Sequence, residues 1–231
     1  MNRLARGWHN TGSRKRILRG SVAETFHVHP ESEDFLMECP ERNDEEQKKN
    51  DGMTSHLLKT RTIVLSGQVD QEMAERVISQ LVVLDNENHD PIRVMITSQG
   101  GHVDSGMAIH DVMRYVNSPV YTIGAGWVAS IGVPILFGAP DKAHRVALPN
   151  TRFLLHQPSG GAGGHLQDIR IEAQEIMRIR QRLNELIAKE TGQDVAKVAK
   201  DSDRNYWMDA EEAVKYGIIS RVVQHAKDVV K

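Results

Sequence analysis

A chain of 231 residues with 29 Lys and Arg against 31 Asp and Glu carries a net charge of −2, which offers no broad cationic surface for nucleic acid. Its 39% hydrophobic and 26% charged residues fit one globular domain of ordinary size and exclude a disordered or fibrous chain. With Cys39 as the single cysteine no intramolecular disulfide can form, so a reducing, cytoplasmic setting is expected.

Residues 1–53 are expected to form a mobile, charged N-terminal arm. Charges there come in runs, as in residues 41–49, and apolar residues are too sparse to offset the entropy of ordering. No apolar stretch like that of a secretory signal is present, and the Arg-rich, acid-free residues 3–19 read as a solvated basic tail. His27 and His29 lie two apart with no Cys or His at structural-site spacing, so no metal site is expected.

From residue 62 the pattern alternates between strand and helix. Residues 62–65 form a short β-rich run, and Asp70 can cap a helix with Met73, Val77, Leu81 and Leu84 on one face. Residues 92–97 give a second strand, closed by a turn at Gly100-Gly101. Met107, Val112, Tyr115 and Val116 mark a second helix. Strand and helix in this order imply parallel strands joined by helical crossovers, an α/β fold.

Residues 120–139 contain no charge and approach the length that spans a bilayer, but four glycines and Pro134 interrupt them. They read as a buried strand over 120–123, a glycine turn and a buried helix, with no membrane span. That register puts Ser130 at the helix N-terminus, with Pro134 in the first turn where its missing N–H is harmless. Free N–H groups and the helix dipole there suit an oxyanion, although an ordinary helix cap fits the local sequence as well. His156 follows the apolar run Phe153-Leu154-Leu155 and precedes the glycines 160, 161, 163 and 164, a position suited to facing a cleft. Those glycines lack the strand-then-helix context of a phosphate loop. Trp127 and Trp207 read as core or cleft packing.

Residues 168–190 form the longest helix, with Gly192 where a C-terminal cap belongs. Ile169, Ala173, Ile176, Leu183 and Ile187 make one stripe, while Ile171, Ile179 and Leu186 lie off it. Two apolar faces call for two partners, the second being another subunit.

Taken together, residues 56–223 resemble the Clp protease (ClpP) family. The Ser-Gln-Gly-Gly turn at 98–101 is similar to that family's Ser-Pro-Gly-Gly, with Gln99 in place of proline. Gly126-Trp-Val-Ala-Ser-Ile-Gly resembles its nucleophile segment, and Leu148-Pro-Asn with His156-Gln-Pro-Ser-Gly-Gly its histidine segment. Arg182-Leu-Asn-Glu-Leu and Ala210-Glu-Glu-Ala-Val-Lys-Tyr-Gly-Ile-Ile follow in the same order. The resemblance implies a ClpP/crotonase-like fold of repeated β-β-α units with a protruding handle helix over 168–190, a peptidase domain over 54–225 and a tail over 226–231. It implies Ser130 as nucleophile, His156 as general base, and backbone N–H groups of Gly101 and Ile131 as the oxyanion hole. It also implies an oligomer of two stacked seven-membered rings, either of this chain alone or mixed with a paralogue, fed with unfolded polypeptide by a Clp-type AAA+ ATPase. No cofactor would be bound by this chain, ATP being used by the ATPase.

Two departures stand out. The family's third triad member is an aspartate after arginine, where this chain has Asp203-Arg204-Asn205. Asn205 can orient an imidazole but adds no charge, so a Ser-His-Asn site is expected, with Asp203 and Arg204 as inter-ring structural residues. The family's short axial segment is not recognisable before Thr54, and residues 1–50 stand in its place. Two other readings follow: a catalytically weak paralogue regulating a mixed assembly, and an acyl-CoA enzyme on the same fold that would not need Ser130 or His156.

Overall fold

The computed structural model describes residues 44–158 and 163–230, with side chains from residue 52 onward. The expectations for residues 1–43, including the mobile arm and the His27/His29 pair, lie outside the described residues, as do Gly160 and Gly161. From residue 44 the chain is helical, in α1 (Asp44–Lys59), so the expected boundary at 53/54 falls within a helix. Among the described residues no helix is long and apolar enough to cross a membrane.

The first three strands, β1 (Thr62–Val69), β2 (Ile92–Gly101) and β3 (Val120–Ala129), run parallel as neighbours. Helices α2 (Gln71–Glu87) and α3 (Val103–Tyr115) connect them. The expected cap is present: the Asp70 carboxylate accepts from Met73 N at 2.8 Å. The predicted face of α2, Met73 to Leu84 at helical spacing, is buried against Ile63, Leu65, Val94 and Ile96 of the sheet. Fully burying one such side chain stabilises the fold by about 1.5–3 kcal/mol, so this face holds α2 in place.

Two strands are longer than the pattern predicts. β2 continues through Gly100-Gly101, whose positive φ values of 94° and 152° bend the strand without ending it. β3 likewise continues past Gly124 and Gly126 to Ala129, so the expected glycine turn at 124–126 is absent. The glycines serve instead as a bulge. Pairing with β2 jumps from Ile96↔Gly124 to Ser98↔Val128, leaving residues 125–127 looped out of the ladder.

Beyond α4 (Gly132–Leu136) the sheet is completed by four short strands. These are β4 (Arg145–Ala147), β5 (Arg152–Leu155), β6 (Tyr206–Met208) and β7 (Arg221–Val222). The main order is β1-β2-β3-β4-β7, all parallel, while β5 branches from β3 and pairs antiparallel with β6. α6 (Val195–Asp201) and α7 (Ala210–Tyr216) connect the C-terminal strands. The tail packs rather than trails. Val229 is buried beside Tyr121, Ile123, Val146 and Val223, and Arg221 donates to the carbonyls of Asp228 and Val229.

The long helix α5 (Leu166–Thr191) ends at Gly192 in the left-handed conformation, as predicted. Its two halves differ. Ile187, Ala188 and Glu190 are buried, whereas Leu166 is 78%, Ile171 61% and Met177 62% exposed. The buried end is tethered by charge: Glu190 accepts from Arg145 at 2.6 Å and from Arg114 at 3.5 Å. Arg145 is itself buried in β4, and loss of hydration there holds its guanidinium below its ordinary pKa.

Candidate active site

Ser130 sits where β3 ends. Its φ is 55°, a left-handed conformation that costs an L-residue about 1–2 kcal/mol and persists only when neighbours enforce it. The neighbours are evident. Ser130 N donates to Leu154 O at 2.9 Å, continuing the β3–β5 ladder, and Ser130 O accepts from Val133 N at 3.1 Å. The helix that follows starts at Gly132 with Ile131 as its cap residue, so Ser130 precedes the helix by two positions and is not its cap. Pro134 lies in the first turn, as the sequence requires.

The N–H of Ile131 has no hydrogen-bond partner among the described residues, and it adjoins the serine. On the other side of the serine lies the Gly100-Gly101 bend. A β-carbon built on Gly100 would be 2.6 Å from Ser130 Cβ and 3.2 Å from its Oγ, so only glycine lets the two strands approach this closely. A β-carbon on Gly101 would overlap the Val69 carbonyl.

His156 follows the last residue of β5 and is half-buried. It shares with Ser130 a cleft of about 340 Å³ that Gln68, Gln99, Gly100, Gly101 and Pro158 also line. A second, small recess of about 20 Å³ joins Ser130 and His156 to Leu183, Asn184 and Ile187 of α5, so the tethered end of that helix forms a wall of the site.

The antiparallel register brings Asn205 to the same place. Phe153 pairs with Met208, Leu154 with Trp207 and Leu155 with Tyr206, so the next step sets His156 opposite Asn205. Both line a larger cleft of about 630 Å³ with Gln157, Asp203, Arg204 and Ile176. Gln157 N donates to Ser202 O at 2.8 Å and Gln157 Nε2 to Asp203 O at 2.9 Å, pinning the two loops together. No hydrogen bond joins Ser130, His156 and Asn205 to one another among the described residues.

Asp203 is exposed and pairs with Arg180 of α5 at 3.1 Å, a contact between helix and loop that the sequence did not reveal. Arg204 is exposed. Trp127 and Trp207 depart from the expected core or cleft packing. They are 43% and 38% exposed, and Arg152 lies 4.3 Å over the Trp207 ring. No cluster of three or more His, Cys, Asp or Glu placed to hold a metal occurs among the described residues.

A strained serine at the end of β3, a histidine in the same cleft and an unpaired N–H beside the serine are an arrangement suited to nucleophilic hydrolysis. Comparison with known proteins makes this specific. The Clp protease family profile matches residues 44–226. The chain is 48% identical over 192 residues to the ATP-dependent Clp protease proteolytic subunit 3 of Rhizobium meliloti, covering 81% of this chain and 98% of that one. It is 47% identical over 179 residues to proteolytic subunit 2 of Gluconobacter oxydans, covering 77% and 80%. Among solved structures, ClpP1 from Listeria monocytogenes superposes with a TM-score of 0.69 at 42% identity, covering 77% of this chain and 99% of that one. An asparagine-to-aspartate mutant of the same protein gives 0.71, with the same identity and coverage. The chain belongs to the Clp protease family, a family of serine peptidases, and its fold is that of ClpP.

Proposed function

We propose that this chain is the proteolytic subunit of an ATP-dependent Clp protease, hydrolysing peptide bonds with a Ser130–His156–Asn205 site. Ser130 Oγ attacks the scissile carbonyl carbon while His156 takes its proton. The oxyanion that forms is held by the N–H groups of Gly101 and Ile131. Collapse breaks the C–N bond, and His156 returns the proton to the departing amine, leaving an acyl-serine. Water, deprotonated by His156, then releases the acid and restores the serine. Asn205 orients the imidazole through its side-chain oxygen but adds no negative charge opposite the imidazolium.

The observation that carries this reading is the strained Ser130 in one cleft with His156. Cleavage of a fluorogenic peptide by the purified protein tests it. Activity should vanish in Ser130→Ala and His156→Ala, and activity retained in either variant sinks the assignment.

The assembly follows the same logic. The exposed apolar half of α5 supports its role as a handle between two seven-membered rings, with Asp203–Arg180 bracing the handle against the Asn205 loop. Unfolded polypeptide, delivered by a Clp-type ATPase that consumes the ATP, is the substrate, and the setting is cytoplasmic. One observation favours a second reading, a weakly active paralogue completed by a sister subunit. The three site side chains are not hydrogen-bonded in the isolated chain, and Asn205 lacks the charge that would draw them together. Robust cleavage by this protein alone removes it.

A further inference from the structure

The β1–β2 ladder lapses beside the nucleophile. Pairing runs from Thr62↔Arg93 to Ser66↔Thr97, then resumes as Gln68↔Gly100 and Val69↔Gly101. Gly67 on one strand, and Ser98 and Gln99 on the other, lie within the gap. Main-chain groups released at such a break need other partners.

Two side chains supply them. Ser98, fully buried, donates from Oγ to Gly67 O at 2.6 Å and accepts from Gly100 N at 3.0 Å. With the Gln99 amide oriented to match its surroundings, Nε2 donates to Gly67 O at 3.2 Å and Oε1 accepts from Gln68 N at 3.2 Å. Three of these contacts bridge the gap, and the fourth, within β2, ends on Gly100, the residue packed tightly against the Ser130 side chain. The next residue, Gly101, is an oxyanion donor in the proposed mechanism.

We propose that Ser98 and Gln99 are positioning residues for peptide-bond cleavage, clamping the Gly100-Gly101 bend so that the Gly101 N–H meets the oxyanion formed at Ser130. This inference rests on Ser130 being the nucleophile. Ser98 acts through backbone alone, whereas Gln99 also lines the cleft, so the kinetic test separates the limiting rate from affinity. The clamp's two members differ in exposure: Ser98 is sealed beneath the sheet, whereas Gln99 is exposed at the cleft rim. Gln99 can therefore be changed with little risk to folding. A slackened clamp leaves ground-state binding intact and weakens only the hold on the transition state, so it lowers the rate at saturation rather than the affinity.

The test is the kinetics of Ser130 phosphonylation by a fluorophosphonate, whose phosphoryl oxygen occupies the same hole. The parent, Gln99→Ala and Ser98→Ala are compared in the full-length protein, with far-ultraviolet circular dichroism confirming the fold. Gln99→Ala should lower the limiting rate about tenfold and Ser98→Ala about a hundredfold, with the inhibition constant within about twofold of the parent. Limiting rates within about twofold of the parent for a folded Gln99→Ala overturn the clamp, as does a change confined to the inhibition constant. A parent protein that takes no label at Ser130, even with a Clp ATPase and a sister subunit present, refutes the underlying assignment of the nucleophile instead.

Discussion

Replacing Gly100 by alanine should silence the site while leaving most of the fold standing. An alanine β-carbon at this position would sit 2.6 Å from Ser130 Cβ and 2.8 Å from Ala129 O. Against an ordinary 3.4 Å contact the first shortfall is about 0.8 Å, and the second close atom is a backbone carbonyl that cannot rotate away as a side chain would. Ser130 or the Gly100-Gly101 bend must shift by an appreciable part of that distance. A displacement near 1 Å between reacting groups costs about 100-fold, so kcat/KM for a fluorogenic peptide should fall by that order. Alanine at a φ of 94° adds strain of about 1–2 kcal/mol, to be read by urea denaturation. Gly192→Ala is the matched control. It meets nothing within 4 Å at a φ of 79°, so it should cost similar backbone strain without changing kcat/KM. A Gly100→Ala protein within about threefold of parental activity would refute the argument that this close approach sets the nucleophile.

Three further outcomes are expected. Asn205→Asp should raise kcat, because a carboxylate opposite His156 stabilises the imidazolium that asparagine cannot; the reverse change, carboxylate to amide, in a Ser-His-Asp triad costs about 10⁴ in kcat, and steady-state peptide cleavage measures the gain here. Glu190→Gln should lower stability by about 3 kcal/mol, since buried Arg145 loses the negative charge that it pairs with at 2.6 Å. In a domain of this size that is a fall in Tm of roughly 6–12 °C, read by calorimetry. His110 is buried with its Nε2 unpartnered, and burial holds its pKa below the ordinary 6.5 despite the opposing pull of Asp111. The unfolded chain therefore binds the proton more readily, and this contribution to stability is lost as pH falls below about 6.5. His110→Phe should flatten the decline in Tm between about pH 7.5 and pH 5.5 relative to the parent, and equal declines would contradict the assignment.

Much of the framework was legible because it rests on short-range rules. The Asp70 cap, the Met73–Leu84 face and the Gly192 stop all follow from helix periodicity and capping chemistry, and each is found where the pattern places it. The glycines were harder to read. At 100–101 and 124–126 they look like turns, but pairing with neighbouring strands resumes beyond them, so the glycines bend or bulge the strands without ending them. A glycine marks conformational freedom, and only the partner strand decides how that freedom is used.

The site was legible in its residues and not in its geometry. Ser130 and His156 stood out as candidates from flanking motifs, yet the positive φ at Ser130 depends also on Leu154, which no local pattern connects to it. Ser98 was seen only as part of a turn, because its hydroxyl meets Gly67 across 31 residues of sequence. Trp127 and Trp207 were read as packed on size alone, whereas their strands leave that face uncovered in the single chain. The α1 helix was missed because charged residues 44–49 mask a helix that the apolar pattern does not announce.

The account stands or falls on whether Ser130 is an activated nucleophile. Treatment of the purified protein with a fluorophosphonate, read by intact mass beside Ser130→Ala, measures this directly. The account predicts one adduct on the parent protein and none on Ser130→Ala. An adduct that persists in Ser130→Ala, or a parent protein that stays unlabelled even with a Clp ATPase and a sister subunit present, would contradict it.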